Sequence, residues 1–290
     1  MKLDIMPGKY VVAVSGGVDS MVLLDLLRLT PHAQVIVAHF DHGMRPDSAL
    51  DREFVQHAAA RYRLPFVYDR AELGKGASEA KAREARYLFL HKARKASAAN
   101  AIVTAHHEDD LLETVLINLL RGTGRKGLSS LRSTDTVVRP LLHVSKREIR
   151  DYARRHGLSW REDSTNSDTK YLRNHVRHNV LAKFDSHQRA QLQALAERMR
   201  KVNAELDTLL EQELQPELSR EWFNGLPHEV AREVMASWLR LHKVRDFDRR
   251  LLERAVVAAK VAAPNRVIDV TKGSYINVGK DNLALAVRER

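Results

Sequence analysis

Short, fully apolar runs alternate with longer stretches of helical periodicity through the first half of the chain. Tyr10-Val11-Val12-Ala13-Val14 is apolar throughout and runs into Ser15-Gly16-Gly17. Such a run suits a strand covered on both faces. Beyond it, Met21, Leu24 and Leu27 recur at helical spacing within 19–29. Further strands are predicted over 34–39, 64–68 and 101–105, with a fifth over 136–139 stopped by Pro140. Helices are predicted over 48–62, 77–99 and 109–120. Strands alternating with helices of 10–15 residues imply an α/β domain, a parallel sheet with helices on both faces.

The second half has a different pattern. Ser145 and Glu148 have the spacing of a capping box, and Gly157 follows His156 where that helix should end. A polar loop over 161–170 precedes a helical segment over 171–183. From 186 to 215 there is no Gly or Pro, which predicts one long helix. Pro227 opens an amphipathic helix carrying Val230, Val234, Trp238 and Leu241, and another helix is expected over 246–262. Residues 266–270, 274–278 and 283–287 read as three short strands joined by turns. The expected division is a catalytic domain over 1–185, a connecting helix over 186–215, and a small helical C-terminal domain with short terminal strands over 216–290. Trp160, Trp222 and Trp238 are expected to serve packing.

Composition narrows the class. Of 290 residues, 44% are hydrophobic and 29% charged with both signs mixed, which excludes a globally disordered chain. The chain has no cysteine, so disulfides, thiolate zinc sites and iron–sulfur clusters are excluded. No apolar run approaches the roughly 20 residues of a membrane helix. The first ten residues carry Lys2, Asp4 and Lys9 and do not resemble a signal peptide. A cytoplasmic protein without membrane attachment is the expectation.

Charge is unevenly placed. Residues 1–120 are neutral, whereas residues 121–180 hold 14 basic and 6 acidic side chains, net +8 of the total +11. A concentrated excess suggests a surface that meets a polyanion such as nucleic acid.

Three blocks carry candidate chemistry. Ser15-Gly16-Gly17-Val18-Asp19-Ser20 lies at a strand end and a helix start. Glycine permits a tight turn, and the helix start offers unpaired N–H groups, which together make a phosphate cradle. It is not a Walker loop, because none of the three Gly-Lys pairs precedes Ser or Thr. Asp41, His42 and Arg45 follow the second strand, where a nucleotide would lie beside the first. His106, Asp110 and Glu113 follow the fourth strand and, on a helix, share one face. That face begins at the carboxyl end of a parallel strand, where open sheets bind ligands. Carboxylates there could hold Mg²⁺ through Asp110 or Glu113, or meet a substrate ammonium; acids in a first turn could equally serve only to cap. Gly122-Thr123-Gly124-Arg125-Lys126-Gly127 follows a helix and not a strand, so it is no dinucleotide fingerprint. Arg173 and Arg177, one helical turn apart, join Arg121, Arg125 and Lys126 as candidate RNA contacts; Arg121, in a basic turn beside the site, is also grouped with His106, Asp110 and Glu113 as a candidate catalytic or Mg²⁺- or lysine-binding residue. A zinc site is not expected.

The Ser15–Ser20 loop resembles the pyrophosphate loop of the N-type ATP pyrophosphatases, also called PP-loop or adenine nucleotide alpha hydrolase-like enzymes. With it, residues 40–48, 106–124 and the pair Asp163-Ser164-Thr165-Asn166 and Tyr171–Arg177 resemble, in order, the tRNA(Ile)-lysidine synthetases. The resemblance is close over about residues 9–183 and only general beyond. It implies a ligase using ATP and Mg²⁺. That ligase joins L-lysine to carbon 2 of the wobble cytidine in the isoleucine tRNA with anticodon CAU. Some members carry a further C-terminal domain for which this chain looks too short. The same fold also serves tRNA thiolation and small-molecule amidation. The first is disfavoured by the lack of cysteine, and the second has no need of the basic block. A non-catalytic RNA-binding protein is a third alternative, opposed by the intact loop. The oligomeric state, a homodimer among the options, is left open.

Overall fold

The computed structural model describes residues 1–43, 48–71, 79–123, 125–162, 172–244, 247–271 and 273–287. It divides into two compact units, Met1–Met199 and Arg200–Arg290.

In the first unit the elements run β1 (Gly8–Ala13), α1 (Val18–Arg28), β2 (Ala33–Asp41), α2 (Ser48–Arg61), β3 (Phe66–Arg70), α3 (Glu79–Ala96), β4 (Ala101–Val103), α4 (Glu108–Leu120), α5 (Arg125–Leu128), β5 (Val137–Val138) and α6 (Lys146–Arg155). A short helix α7 (Leu172–His175) continues as a π-turn over Val176–Val180 and a 3₁₀ turn over Leu181–Lys183. Helix α8 (Ser186–Glu213) runs through the boundary between the units.

The five strands form one sheet in the order β3-β2-β1-β4-β5, and every pairing is parallel. Successive residues of β1 and β2 feed opposite cores. Tyr10, Val12, Val35 and Val37 pack with Leu23, Leu27 and Ile149 on the α1/α6 side. Val11, Ile36 and Ala38 pack with Phe89 and Leu90 of α3 on the other. Two-sided burial is the reason these strands read as unbroken apolar runs. Order reverses around β1: β2 lies on one side and β4 on the other. The crevice at the carboxyl ends of these strands is thus the topological switch point.

Helix α4 is also covered on two sides. Leu111 and Val115 pack with Leu131, Leu142 and Ala196, while Leu112 and Ile117 pack with Val176 and Leu181. Helix α6 opens with the expected box: Ser145 Oγ accepts from the Glu148 N–H at 3.2 Å and Glu148 accepts from the Ser145 N–H at 3.0 Å. Gly157 follows its end at φ +60°, a conformation that suits glycine.

The second unit contains β6 (Glu217–Ser219), α9 (Arg220–Gly225), α10 (His228–Leu241), α11 (Arg249–Val261), β7 (Arg266–Thr271), β8 (Ser274–Val278) and β9 (Asn282–Val287). Its antiparallel sheet has the order β6-β9-β8-β7. Trp238, Phe223, Met235 and Ile276 form the centre of its core. Of the three tryptophans, Trp238 is fully buried and Trp160 is half-buried against the first core. Trp222 departs from the packing expectation, being 44% exposed. Its position early in a six-residue helix turns it outward, while Phe223 takes the core site. Among the described residues, no helix is long and apolar enough to cross a membrane.

Candidate active site

A cavity of about 580 Å³ opens at the switch point. The loop between β1 and α1 forms one wall, with Ser15, Gly17, Val18, Asp19 and Ser20 lining it. Ser20 organises this loop. Its Oγ accepts from the Ser15 and Gly16 N–H groups, both at 3.2 Å, and donates to the Gly17 carbonyl at 2.9 Å. Ser15 Oγ accepts from the Gly17 N–H at 3.3 Å. Gly16 adopts φ +94° with the side chains of Phe54 and Val55 close by, so a side chain there would be strained by its backbone. The Gly16 carbonyl accepts from the Arg161 N–H at 2.9 Å, which ties the segment after α6 to the loop.

Asp41 and His42 line a second wall at the end of β2. Asp41 shapes the turn, accepting from the Gly43 N–H at 2.8 Å and from Ser48 Oγ at 3.0 Å. His42 stacks edge-on against Phe40, and its Nδ1 has no hydrogen-bond partner among the described residues. Burial and the nearby Arg86 lower its pKa, so its ring is neutral. Arg45 and residues 163–166 lie outside the described residues.

The third wall follows β4. His106 precedes α4, so it reaches the cavity from the strand end and not from the shared helical face expected for it. Its Nδ1 meets Thr104 Oγ1 at 2.8 Å. Burial, aided by Arg139, Arg83 and Arg86, pushes its pKa down to about 3. His107 is the N-cap of α4: its ring accepts from the Asp109 N–H, while Asp110 accepts from the His107 N–H at 3.0 Å. Asp110 thus caps the helix, one of the two roles considered for it, and also lines the cavity. Burial opposes its charge, but His107, its backbone N–H and Arg177 outweigh burial and hold the pKa low.

Glu113 sits one turn further along α4, fully buried and absent from the cavity lining. Arg177 Nε donates to it, and Arg173 Nε stands 3.5 Å from its other oxygen. Burial nevertheless pushes its pKa up to about 7, against the pull of Arg177. Arg177 also reaches Asp110 at 3.3 Å. These contacts revise two expectations. Arg173 and Arg177 face the α4 carboxylates, and Glu113 has two guanidinium neighbours before any metal is considered. Arg121, exposed at the far end of α4, is not part of the cavity wall, and neither are Arg125 and Lys126.

Several cavity residues were not singled out from sequence. Lys146 meets Asp19 with its Nζ at 2.6 and 2.7 Å from the two oxygens. Arg161 pairs with the buried Asp51, and Arg86, Arg150, Trp160 and Thr104 complete the lining. For Lys146 a signal existed, since it follows the last strand of the sheet within the basic block. Arg161 and Trp160 had none. Among the described residues, no cluster of three or more His, Cys, Asp or Glu is placed to hold a metal. Asp19 and Asp110 do converge, each 3.7 Å from His107 Nε2.

A parallel sheet with a serine-organised glycine loop at its switch point defines a nucleotide-binding α/β domain. The family model of the PP-loop domain matches residues 4–184, and the chain belongs to that family. It is 43% identical over 215 residues to a tRNA(Ile)-lysidine synthase of Thermus thermophilus, covering 72% of this chain and 42% of that one. With a tRNA(Ile)-lysidine synthase of Solibacter usitatus it shares 39% identity over 176 residues, covering 60% and 40% of the two chains. The chain therefore spans less than half the length of these relatives. The U34-tRNA thiolase NcsA of Methanococcus maripaludis matches with a TM-score of 0.57 at 14% identity, over 68% of this chain and 73% of that one, a likeness of fold.

Proposed function

We propose that this chain is an ATP-dependent ligase that joins L-lysine to carbon 2 of the wobble cytidine in the isoleucine tRNA with anticodon CAU. The observation that carries the reading is one cavity that joins the Ser15–Ser20 loop to His106 and Asp110. The 43% identity to a tRNA(Ile)-lysidine synthase supports the choice of substrates.

In the first step the cytidine carbon-2 oxygen attacks the α-phosphorus of ATP and pyrophosphate leaves. In the second the side-chain amine of lysine attacks carbon 2, AMP departs, and the amine releases a proton. The N–H groups at the start of α1, which no side chain caps, face the polyphosphate and stabilise charge that grows on the leaving group. Asp110, held ionised, faces the cavity, where it can meet either the lysine ammonium or Mg²⁺. His106, neutral, serves as a hydrogen-bonding wall beside the base.

Mg²⁺ usually binds ATP enzymes through one or two carboxylates plus phosphates and waters. The converging Asp19 and Asp110 fit that role once Lys146 leaves Asp19, and Glu113 does not, because it is fully buried and outside the cavity lining. The ion would screen the polyphosphate. RNA phosphates are assigned to Arg121, Arg125 and Lys126.

The test is pyrophosphate release by the purified chain with tRNA and lysine, each omitted in turn, and mass analysis of the tRNA nucleosides. Release that needs tRNA, with lysidine formed only when lysine is present, supports the reading. Release without tRNA refutes it in favour of a small-molecule substrate.

A further inference from the structure

Two polar bridges join α1 to α6, and both connect residues 127 positions apart. Asp19 holds Lys146 at 2.6 Å, and Asp25 accepts from Tyr152 Oη at 2.9 Å. Equal offsets mean that the helices run side by side in the same direction and in register. The two bridges are six residues apart, about 9 Å along each axis. The inner one is anchored: Asp25 is 1% exposed and also accepts from Arg28 Nε at 2.8 Å. Sliding or rolling α6 would take the Tyr152 donor from a buried carboxylate, a cost that holds the start of α6 in place relative to the glycine loop.

The outer bridge differs in kind. Lys146 and Asp19 are 29% and 27% exposed and both line the cavity, where an ion pair is weak and exchangeable. Arg150 is one helical turn beyond Lys146 on the same face and also lines the cavity. The loop itself brings little positive charge to a polyphosphate. It carries Asp19, and Ser20 and Ser15 already take up its N–H groups.

Resting on the nucleotide-site reading above, we infer that Lys146 and Arg150 form a polyphosphate-binding face of this cavity. Lys146 exchanges the Asp19 carboxylate for a phosphate oxygen when ATP enters. Two cations of the 121–180 block thereby serve the nucleotide and not the RNA.

The experiment is calorimetric titration of the full chain with ATP, AMP and pyrophosphate, for wild type, Lys146→Ala, Lys146→Arg and Arg150→Ala. Melting curves confirm that each variant is folded. Lys146→Ala is expected to weaken ATP and pyrophosphate at least tenfold while AMP stays within twofold. Lys146→Arg should recover ATP to within about threefold, and Arg150→Ala should lose ATP affinity three- to tenfold. Unchanged ATP affinity in Lys146→Ala, or equal loss of ATP and AMP, overturns the assignment while leaving the nucleotide site intact. A folded wild type that binds no ATP overturns the nucleotide reading itself, and this inference with it.

Discussion

Arg177 reaches back from the turn after α7 to the buried Glu113 of α4, and with the same guanidinium touches Asp110 at 3.3 Å. One cation therefore pulls on both carboxylates, against the burial that raises Glu113 and alongside His107 at Asp110. Breaking a buried pair by removing one partner typically costs about 3–5 kcal/mol, because the other charge is left unpaired. Arg177→Ala should lose stability in a denaturant titration, but less than that, because Glu113, with its pKa already near 7, takes up a proton instead of staying charged. Asp110 in that variant should also titrate higher by NMR, since a cation that holds it low is gone.

Glu113 gives stability a pH dependence of known sign. Its folded pKa, near 7, lies above the ordinary carboxylate value. The folded state thus binds the proton more tightly than the unfolded chain does. The contribution is complete below about pH 4 and is lost as pH rises through 7. Its size is about 3.5 kcal/mol at most, taking about 1.4 kcal/mol per pH unit. Comparing unfolding free energies of wild type and Glu113→Gln from pH 4 to 8 isolates it. The variant should lack this part of the decline; parallel curves would mean that Glu113 titrates normally.

Much of the architecture was legible because it is local. The β1 and β2 runs are apolar at every position since both faces are covered, and the Ser145–Glu148 box announced α6 directly. Strand β6 was not legible: its three residues, Glu217 to Ser219, are defined by pairing with β9, more than 60 positions later. The site divided in the same way. Ser15–Ser20 and Asp110 could be read from a strand end followed by a helix start. The partners of Asp19, Asp51 and Glu113 could not, since Lys146, Arg161 and Arg177 come from segments that only the fold brings near. Charge counting placed a cationic surface in 121–180, but composition does not say which cations meet internal carboxylates.

Ser20 is a sharper probe of the loop than Ser15. Its hydroxyl accepts two N–H groups and donates to one carbonyl, so Ser20→Ala releases three backbone groups at once. Ser15→Ala removes the acceptor for a single loop N–H. At about 0.5–1.5 kcal/mol per hydrogen bond, Ser20→Ala should cost about 1.5–4.5 kcal/mol of loop order. ATP affinity should fall more in Ser20→Ala than in Ser15→Ala, with both melting within a few degrees of wild type. The reverse ranking would show that the hydroxyl of Ser15, not the hub at Ser20, shapes the cradle.

The Asp25–Tyr152 bridge separates helix register from phosphate contact. Tyr152→Phe removes one donor from a buried carboxylate that keeps Arg28, so the cost should be about 1–2 kcal/mol. Asp25→Ala removes the acceptor for both and should cost more. Urea unfolding measures each, and wild-type stability in Tyr152→Phe would mean that Tyr152 contributes nothing through its hydroxyl.

The basic block makes the last prediction, and the structure changes which residues test it. Neutralising Arg173 or Arg177 disturbs Glu113 first, so any loss of RNA affinity there is confounded by a damaged α4. Arg121 is exposed at the end of α4, and Arg125 and Lys126 follow in α5, outside the cavity wall. Each phosphate contact releases counterions, giving a slope of about −0.7 to −0.9 in log affinity against log salt. If these three meet tRNA, the triple alanine variant should flatten the measured slope by roughly 2 to 3, with ATP affinity unchanged. The measurement is tRNA binding across a salt series for wild type and variant. Identical slopes would remove α5 from the RNA path and leave the cations of the second unit as the surface to test.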